Sequence, residues 1–226
     1  MRQLELGWKV RGGRRKGAGR PWTRTRRHYV RKRPELEKDT PVHVSLRVVK
    51  AVGALRRRKA YQAVRRALLT SFVRTDFRVV HVSIQRTHVH LICEADDAGA
   101  LTRGMRGFQV SAARRLNAAI GKELNVPARK GTVFPEVYFA EALGSPRQVR
   151  NAICYVLNNW RHHGEDRRQA PLDPYASGIF FDGWAGRGPV APPDGYDPLP
   201  VMYPQTWLLA EGWRKHGRID PWAVPG

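Results

Sequence analysis

The stretch from Val79 to Glu94 constrains this chain more than any other. Two runs rich in Val, Ile and Leu flank Gln85-Arg86, which predicts two strands joined by a tight turn. Side chains alternate faces along a strand. His88 and His90 therefore project together from one face of the second strand, while Val89, Leu91 and Cys93 take the other. Two imidazoles side by side on a rigid strand are half of a metal site. A His-x-His pair arises by chance roughly 0.3 times in a chain with eight His, so its meaning must come from its surroundings.

At 226 residues the chain has room for one domain with extensions or two small ones. A hydrophobic fraction of 42% is enough for a packed core. The formal net charge of +22 attracts polyanions and makes their binding salt-dependent, with nucleic acid the first candidate. An anionic membrane is the alternative, but no long apolar run and no lipidation signal is present, and Met1 to Val10 lacks the apolar centre of a signal peptide. Cys93 and Cys154 are the only cysteines, and both sit in apolar patterns. They read as buried, inert thiols, which suits a reducing cytoplasm.

Much of the charge lies at the start. Residues 1–33 hold thirteen Lys and Arg against one acid, Glu5, and the glycines of residues 12–19 make helix or strand costly. Residues 1–39 are therefore expected to be a flexible basic DNA-binding arm. Arg14, Arg15, Lys16 and Arg20 would lie along phosphates, with Gly19-Arg20-Pro21 near a minor groove. A merely solubilising tail is the plainer alternative.

Residues 40–164 carry the pattern of a folded domain. Val42, Val44 and Leu46 alternate with His43, Ser45 and Arg47 in a half-buried strand, and 53–72 has helical spacing with a dense basic face. Strands over 77–84 and 87–94 follow. Asp96 or Asp97 caps a helix to about Ala119, whose buried stripe is Leu101, Met105, Phe108, Ala112 and Leu116. Arg103, Arg106, Arg114 and Arg115 fall mostly on its other faces and read as a DNA-binding surface. A loop over 121–131 and a fourth strand over 133–143 complete the sheet. Ser145 as N-cap, Pro146 at the first helical position and Gln148 at the third start a last helix, which runs to about His163. The order is that of an α+β, ferredoxin-like βαββαβ sheet with one helix appended. Residues 165–226 hold ten of the sixteen Pro and four of the seven Trp, a tail expected to pack its aromatics onto the domain. Base stacking by one or two of those Trp is the alternative.

In such a sheet the His88 strand is central, and the last helix can cross its face. Tyr155 and Asn159 are four apart and share one side of that helix, with His162 near the same stripe. Phenol is a poor nucleophile at its usual pKa of about 10 and needs a cation or base to activate it. A divalent ion held by His88, His90 and the amide oxygen of Asn159 would do so and would polarise a phosphate oxygen.

These residues resemble a known family. His88-Val89-His90 on a central strand, with Tyr155 and Asn159 on a following helix, is similar to the HUH single-strand DNA nucleases that use one tyrosine. Within them the chain looks like the REP-associated tyrosine transposases. The resemblance extends to the 12–21 arm, Pro41 to Arg47, Tyr155 to Asn159, Phe181-Asp182-Gly183-Trp184, Thr206 to Leu209 and Gly212 to Gly217. It implies cleavage and strand transfer of single-stranded hairpin DNA. Tyr155 would form a 5′-phosphotyrosine and free a 3′-hydroxyl, and His88, His90 and Asn159 would hold Mg²⁺ or Mn²⁺. The expected location is cytoplasmic and nucleoid-associated, and no protein partner is implied; relatives of this type include both helix-sharing dimers and longer-tailed monomers, and the long tail here favours the monomer. The chain departs from the family at Val137-Tyr138-Phe139 and Glu141, where relatives often carry an Arg-Tyr-His run, so positive charge is lost near the implied DNA path. An RNA-recognition module shares the strand order but places aromatics on central strands, and Thr87 to Glu94 has none. A DNA-binding protein of the same fold that no longer cuts is the other alternative. A zinc hydrolase fails for want of a carboxylate at ligand spacing.

Overall fold

The structure, a computed structural model, describes residues 36–37, 39–125, 127–166, 170–186 and 196–225. Arg14, Arg15, Lys16 and Arg20 of the expected basic arm lie outside the described residues. In chain order the main elements are β1 (Val42–Arg47), α1 (Arg58–Leu68), β2 (Phe77–Ile84), β3 (His88–Ala95), α2 (Ala98–Leu124), β4 (Phe139–Ala142) and α3 (Pro146–His162). The four strands form one antiparallel sheet in the order β2-β3-β1-β4, so β3 is central and the fold is α+β as the sequence predicts.

The sheet has two covered faces, and the alternation of side chains decides what each receives. Val42, Val44 and Leu46 of β1 and Val89, Leu91 and Cys93 of β3 point to one face, into a core closed by α1 and α2. Ile92 points to the other, into a second core with Val149, Ile153, Val156 and Leu157 of α3. Strand β2 serves both because of a bulge at Val80, where the pairing steps from Val79–Cys93 to His81–Ile92. Phe77 and Val79 before the bulge, and Val82 and Ile84 after it, face the first core, while Val80 joins the second.

Several boundaries differ from the sequence reading. Helix α1 is shorter than 53–72, because Gly53 takes a positive φ of 75° and 3₁₀ turns at Lys50–Val52 and Leu69–Ser71 flank the α-helical part. Helix α2 runs past Ala119 to Leu124 and ends on Asn125 in the left-handed conformation. Gly121 lets the chain after the helix pack close against it, since a Cβ there would lie 2.7 Å from the Ala128 backbone. Strand β4 occupies only the end of the expected 133–143. Pro135 offers no N–H to a ladder, and the Val133 carbonyl accepts from the Val49 backbone N–H beyond the end of β1. The start of α3 is as predicted: Ser145 Oγ accepts from the Gln148 backbone N–H, with Pro146 in the first turn.

The C-terminal segment supplies a large part of the second core. Trp184, Leu209, Trp213 and Ile219 are buried against α3 and Val80, each such side chain contributing about 1.5–3 kcal/mol through burial. Three buried polar anchors fix its path. Glu94 accepts from the backbone N–H groups of Gln205 and Thr206, at 2.9 and 2.8 Å, and from the Thr206 hydroxyl. Arg56 donates to both Asp173 oxygens at 2.9 Å. Arg161 donates to the Pro221, Ala170 and Pro171 carbonyls and to Asp166. Burial pushes the Asp173 carboxyl above the usual carboxylate range, with Arg56 pulling the other way. Among the described residues no helix is long and apolar enough to cross a membrane.

Candidate active site

The register of β1, β3 and β4 places a row of polar side chains on the face that α3 crosses. His43 lies opposite Ile92 and Glu141, Ser45 opposite His90 and Phe139, and Arg47 opposite His88. Residues directly opposite in an antiparallel pair share a face. His43, His88 and His90 therefore gather on one side of two adjacent central strands.

Helix α3 brings Tyr155 to the same place. Its apolar residues Val149, Ile153, Val156 and Leu157 pack down on the sheet, which leaves Tyr155 half-buried beside the imidazoles and Asn159 fully buried one turn on. The Tyr155 ring centroid is 5.2 Å from that of His90 and 5.7 Å from that of His43. His88 and His90 lie 4.6 Å apart with their rings perpendicular. His43 Nε2 and His90 Nδ1 are in hydrogen-bond contact at 3.1 Å. Tyr155 lines a cleft of about 670 Å³ with His43, Phe139, Glu141, Arg150 and Pro225.

The environment keeps the imidazoles neutral. Burial lowers the pKa of His43 and of His88 to about 4; His163 and Arg47 add to the effect at His88. His90 is lowered to about 2, by burial first and then by His43, His88 and His163. Neutral imidazole is the form that ligates a metal. Among the described residues, three buried polar atoms of His90 and Asn159 have no hydrogen-bond partner: His90 Nε2, Asn159 Oδ1 and Asn159 Nδ2. Burying such atoms unpaired is costly, so they are suited to an external partner. One imidazole nitrogen and one amide oxygen without partners, next to a second neutral imidazole, fit the donor set expected for a divalent cation. Among the described residues no three His, Cys, Asp or Glu side chains are grouped to hold an ion, so a site here would need the amide.

Three of the sequence-predicted residues, His88, His90 and Tyr155, are thus brought together, and Asn159 lies buried one helical turn from Tyr155 on α3. Arg103 and Arg106 are not among them. They lie on α2, which covers the opposite face of the sheet, where with Arg74, Arg114 and Arg115 they line an open groove of about 860 Å³. Arg103 donates to Asp76 at 3.0 Å, and Arg106 is exposed. His162, placed near the Tyr155 stripe by its spacing, is exposed and contacts the Pro225 carbonyl through Nδ1. Its neighbour His163 takes the place by the site, 5.3 Å from His88, because α3 ends at His162 and the chain turns there. Two site residues escaped the sequence reading. His163 carries no spacing signal, whereas His43 does: it alternates with Val42 and Val44 and so had to share a face with His88 and His90 once β1 paired with β3. Cys93 is buried and Cys154 half-buried; both are free, and burial raises both thiol pKa values.

No protein-family model matches the chain, and no curated protein does. Among solved structures it is similar to a structure of the REP associates tyrosine transposase bound to a REP hairpin. The identity is 15%, covering 66% of this chain and 87% of that chain, with a TM-score of 0.48.

Proposed function

We propose that this protein is a single-strand DNA endonuclease and transposase that cuts hairpin DNA with Tyr155. The observation that carries the reading is the convergence of Tyr155 with two neutral imidazoles on one face of the sheet, with the buried Asn159 amide one helical turn from Tyr155 and unpartnered among the described residues. The sequence motifs that resemble REP-associated tyrosine transposases supply the substrate class.

The chain's own residues have distinct tasks in this reading. The Tyr155 hydroxyl attacks a phosphodiester, its oxygen bonding to phosphorus as the bond to the 3′ oxygen breaks. The products are a 5′-phosphotyrosine and a free 3′-hydroxyl, so the proton lost by the phenol is balanced by the one the leaving oxygen gains. His88, His90 and Asn159 would hold Mg²⁺ or Mn²⁺, which when bound polarises a phosphate oxygen as a Lewis acid. The packing of α3 on the sheet fixes Tyr155 relative to the two imidazoles, which limits the geometries of attack. Arg103 and Arg106 on α2, together with Arg14, Arg15, Lys16 and Arg20, would neutralise backbone phosphates away from the cut.

The test is a covalent one. Wild-type protein incubated with labelled single-stranded hairpin DNA and Mn²⁺ should yield an adduct that survives denaturation. Tyr155→Phe should yield none while retaining hairpin affinity. An equal adduct from Tyr155→Phe would assign the attack to another residue, and none from wild type over a range of hairpins that it nonetheless binds would leave a DNA-binding protein without nuclease activity.

A further inference from the structure

The contact between His43 and His90 has a direction, and the direction matters for the site. The two rings are inclined by only 26°, and His43 Nε2 lies 3.1 Å from His90 Nδ1, the geometry of an in-plane hydrogen bond between two imidazoles. One N–H occupies the line between them. If His43 donates it, His90 must carry its own proton on Nε2, a buried atom with no acceptor among the described residues. If His90 donates it, His90 Nε2 is a bare lone pair beside His88 and Tyr155.

We infer that His43 is a positioning residue that accepts the Nδ1–H of His90, holding His90 in the tautomer whose Nε2 is free to bind a cation. The inference deepens the proposed function and rests on it for the identity of what that nitrogen meets. Partners of this kind orient metal-binding imidazoles and set their tautomer, and losing one costs about 10- to 100-fold in metal affinity. The β-sheet register enforces the pairing here. His43 and His90 are diagonal neighbours across β1 and β3, so the register of the central strands sets the two side chains beside each other. His88 has a different neighbour, the Thr87 hydroxyl at 3.3 Å from its Nδ1, so the two imidazoles are held by separate devices.

The test uses two substitutions in the full-length chain. His43→Phe keeps a planar ring but removes the acceptor. His43→Gln places an amide oxygen near the position of the missing nitrogen. Tautomers are read by ¹⁵N NMR of histidine-labelled protein without metal, and Mn²⁺ affinity by electron paramagnetic resonance titration. Wild-type His90 should carry its proton on Nδ1. His43→Phe should shift it toward Nε2 and weaken Mn²⁺ binding by about 10- to 100-fold, while His43→Gln should stay within about threefold of wild type. A wild-type His90 protonated on Nε2 overturns the inference, as does a His43→Gln that behaves like His43→Phe. Wild type with the Nδ1 proton but no Mn²⁺ binding would remove the cation from the proposed function and still support the hold of His43 on the tautomer.

Discussion

At the scale of single residues, the candidate site divides into side chains whose roles follow from spacing and side chains whose roles follow from pairing. His88 and His90 are two apart on a strand and Tyr155 and Asn159 four apart on a helix, so each pair was legible as a pair. That the two pairs meet was not, because it depends on how α3 lies across the sheet. Glu141 gained its meaning from pairing as well. It is exposed, directly opposite His43, and lines the cleft with Tyr155, so under the proposed function a carboxylate stands beside the phosphate chain. Replacing it should strengthen DNA binding. Glu141→Arg is expected to tighten single-stranded hairpin binding and to steepen the dependence of log affinity on log salt by about 0.7 for one more neutralised phosphate. Fluorescence anisotropy over a salt series measures both, and an unchanged slope would place the DNA path elsewhere.

At the scale of elements, α2 and α3 do different work on opposite faces of one sheet. Helix α3 delivers Tyr155, and α2 presents Arg103 and Arg106 beside Arg114 and Arg115. The arginine face was legible because positive residues fill the positions left by the buried stripe of Leu101, Met105, Phe108, Ala112 and Leu116, all of which are buried. Its distance from the chemistry was not, since the helical period says which face is out but not which side of the sheet the helix covers. The division predicts a separation of effects. Arg103→Gln with Arg106→Gln should weaken hairpin binding and lower the salt slope by up to about 0.9 for each duplex phosphate that the protein no longer neutralises. The rate of adduct formation at saturating DNA should be unchanged. A reduced rate at saturation would mean that α2 reaches the reacting strand. Arg103 is tied to Asp76, so the larger share of the weakening should come from Arg106.

At the scale of the whole molecule, the C-terminal segment is part of the fold. Trp184 and Trp213 lie buried in the second core, while the half-exposed Trp207 and Trp222 have Lys215 and Arg161 over their rings. The bulge at Val80 turns His81 toward this segment, where it is buried against Phe181 with Nδ1 unpartnered. Burial lowers its pKa to about 4 from 6.5, with Asp182 opposing. Because the folded value is depressed, the unfolded chain takes up a proton first as pH falls through 6.5, and stability is lost until the folded state also protonates near 4. Denaturant titrations at about pH 7.5 and about pH 4.5 should show His81→Phe losing less stability across that window than wild type, by on the order of 3 kcal/mol. Equal losses would show that His81 titrates in the native protein as it does in the unfolded chain. By itself the sequence determined the strand and helix periods, the cap of α3, the βαββαβ order and the two pairs of chemical residues, because these rest on local spacing and backbone preference. The tertiary structure decided what spacing cannot carry: the β1–β3 register that joins His43 to His90, the bulge that turns His81, and the end of α3 that sets His163 by His88. Each of these depends on pairing between residues distant in the chain, where one residue of slip moves a side chain to the other face.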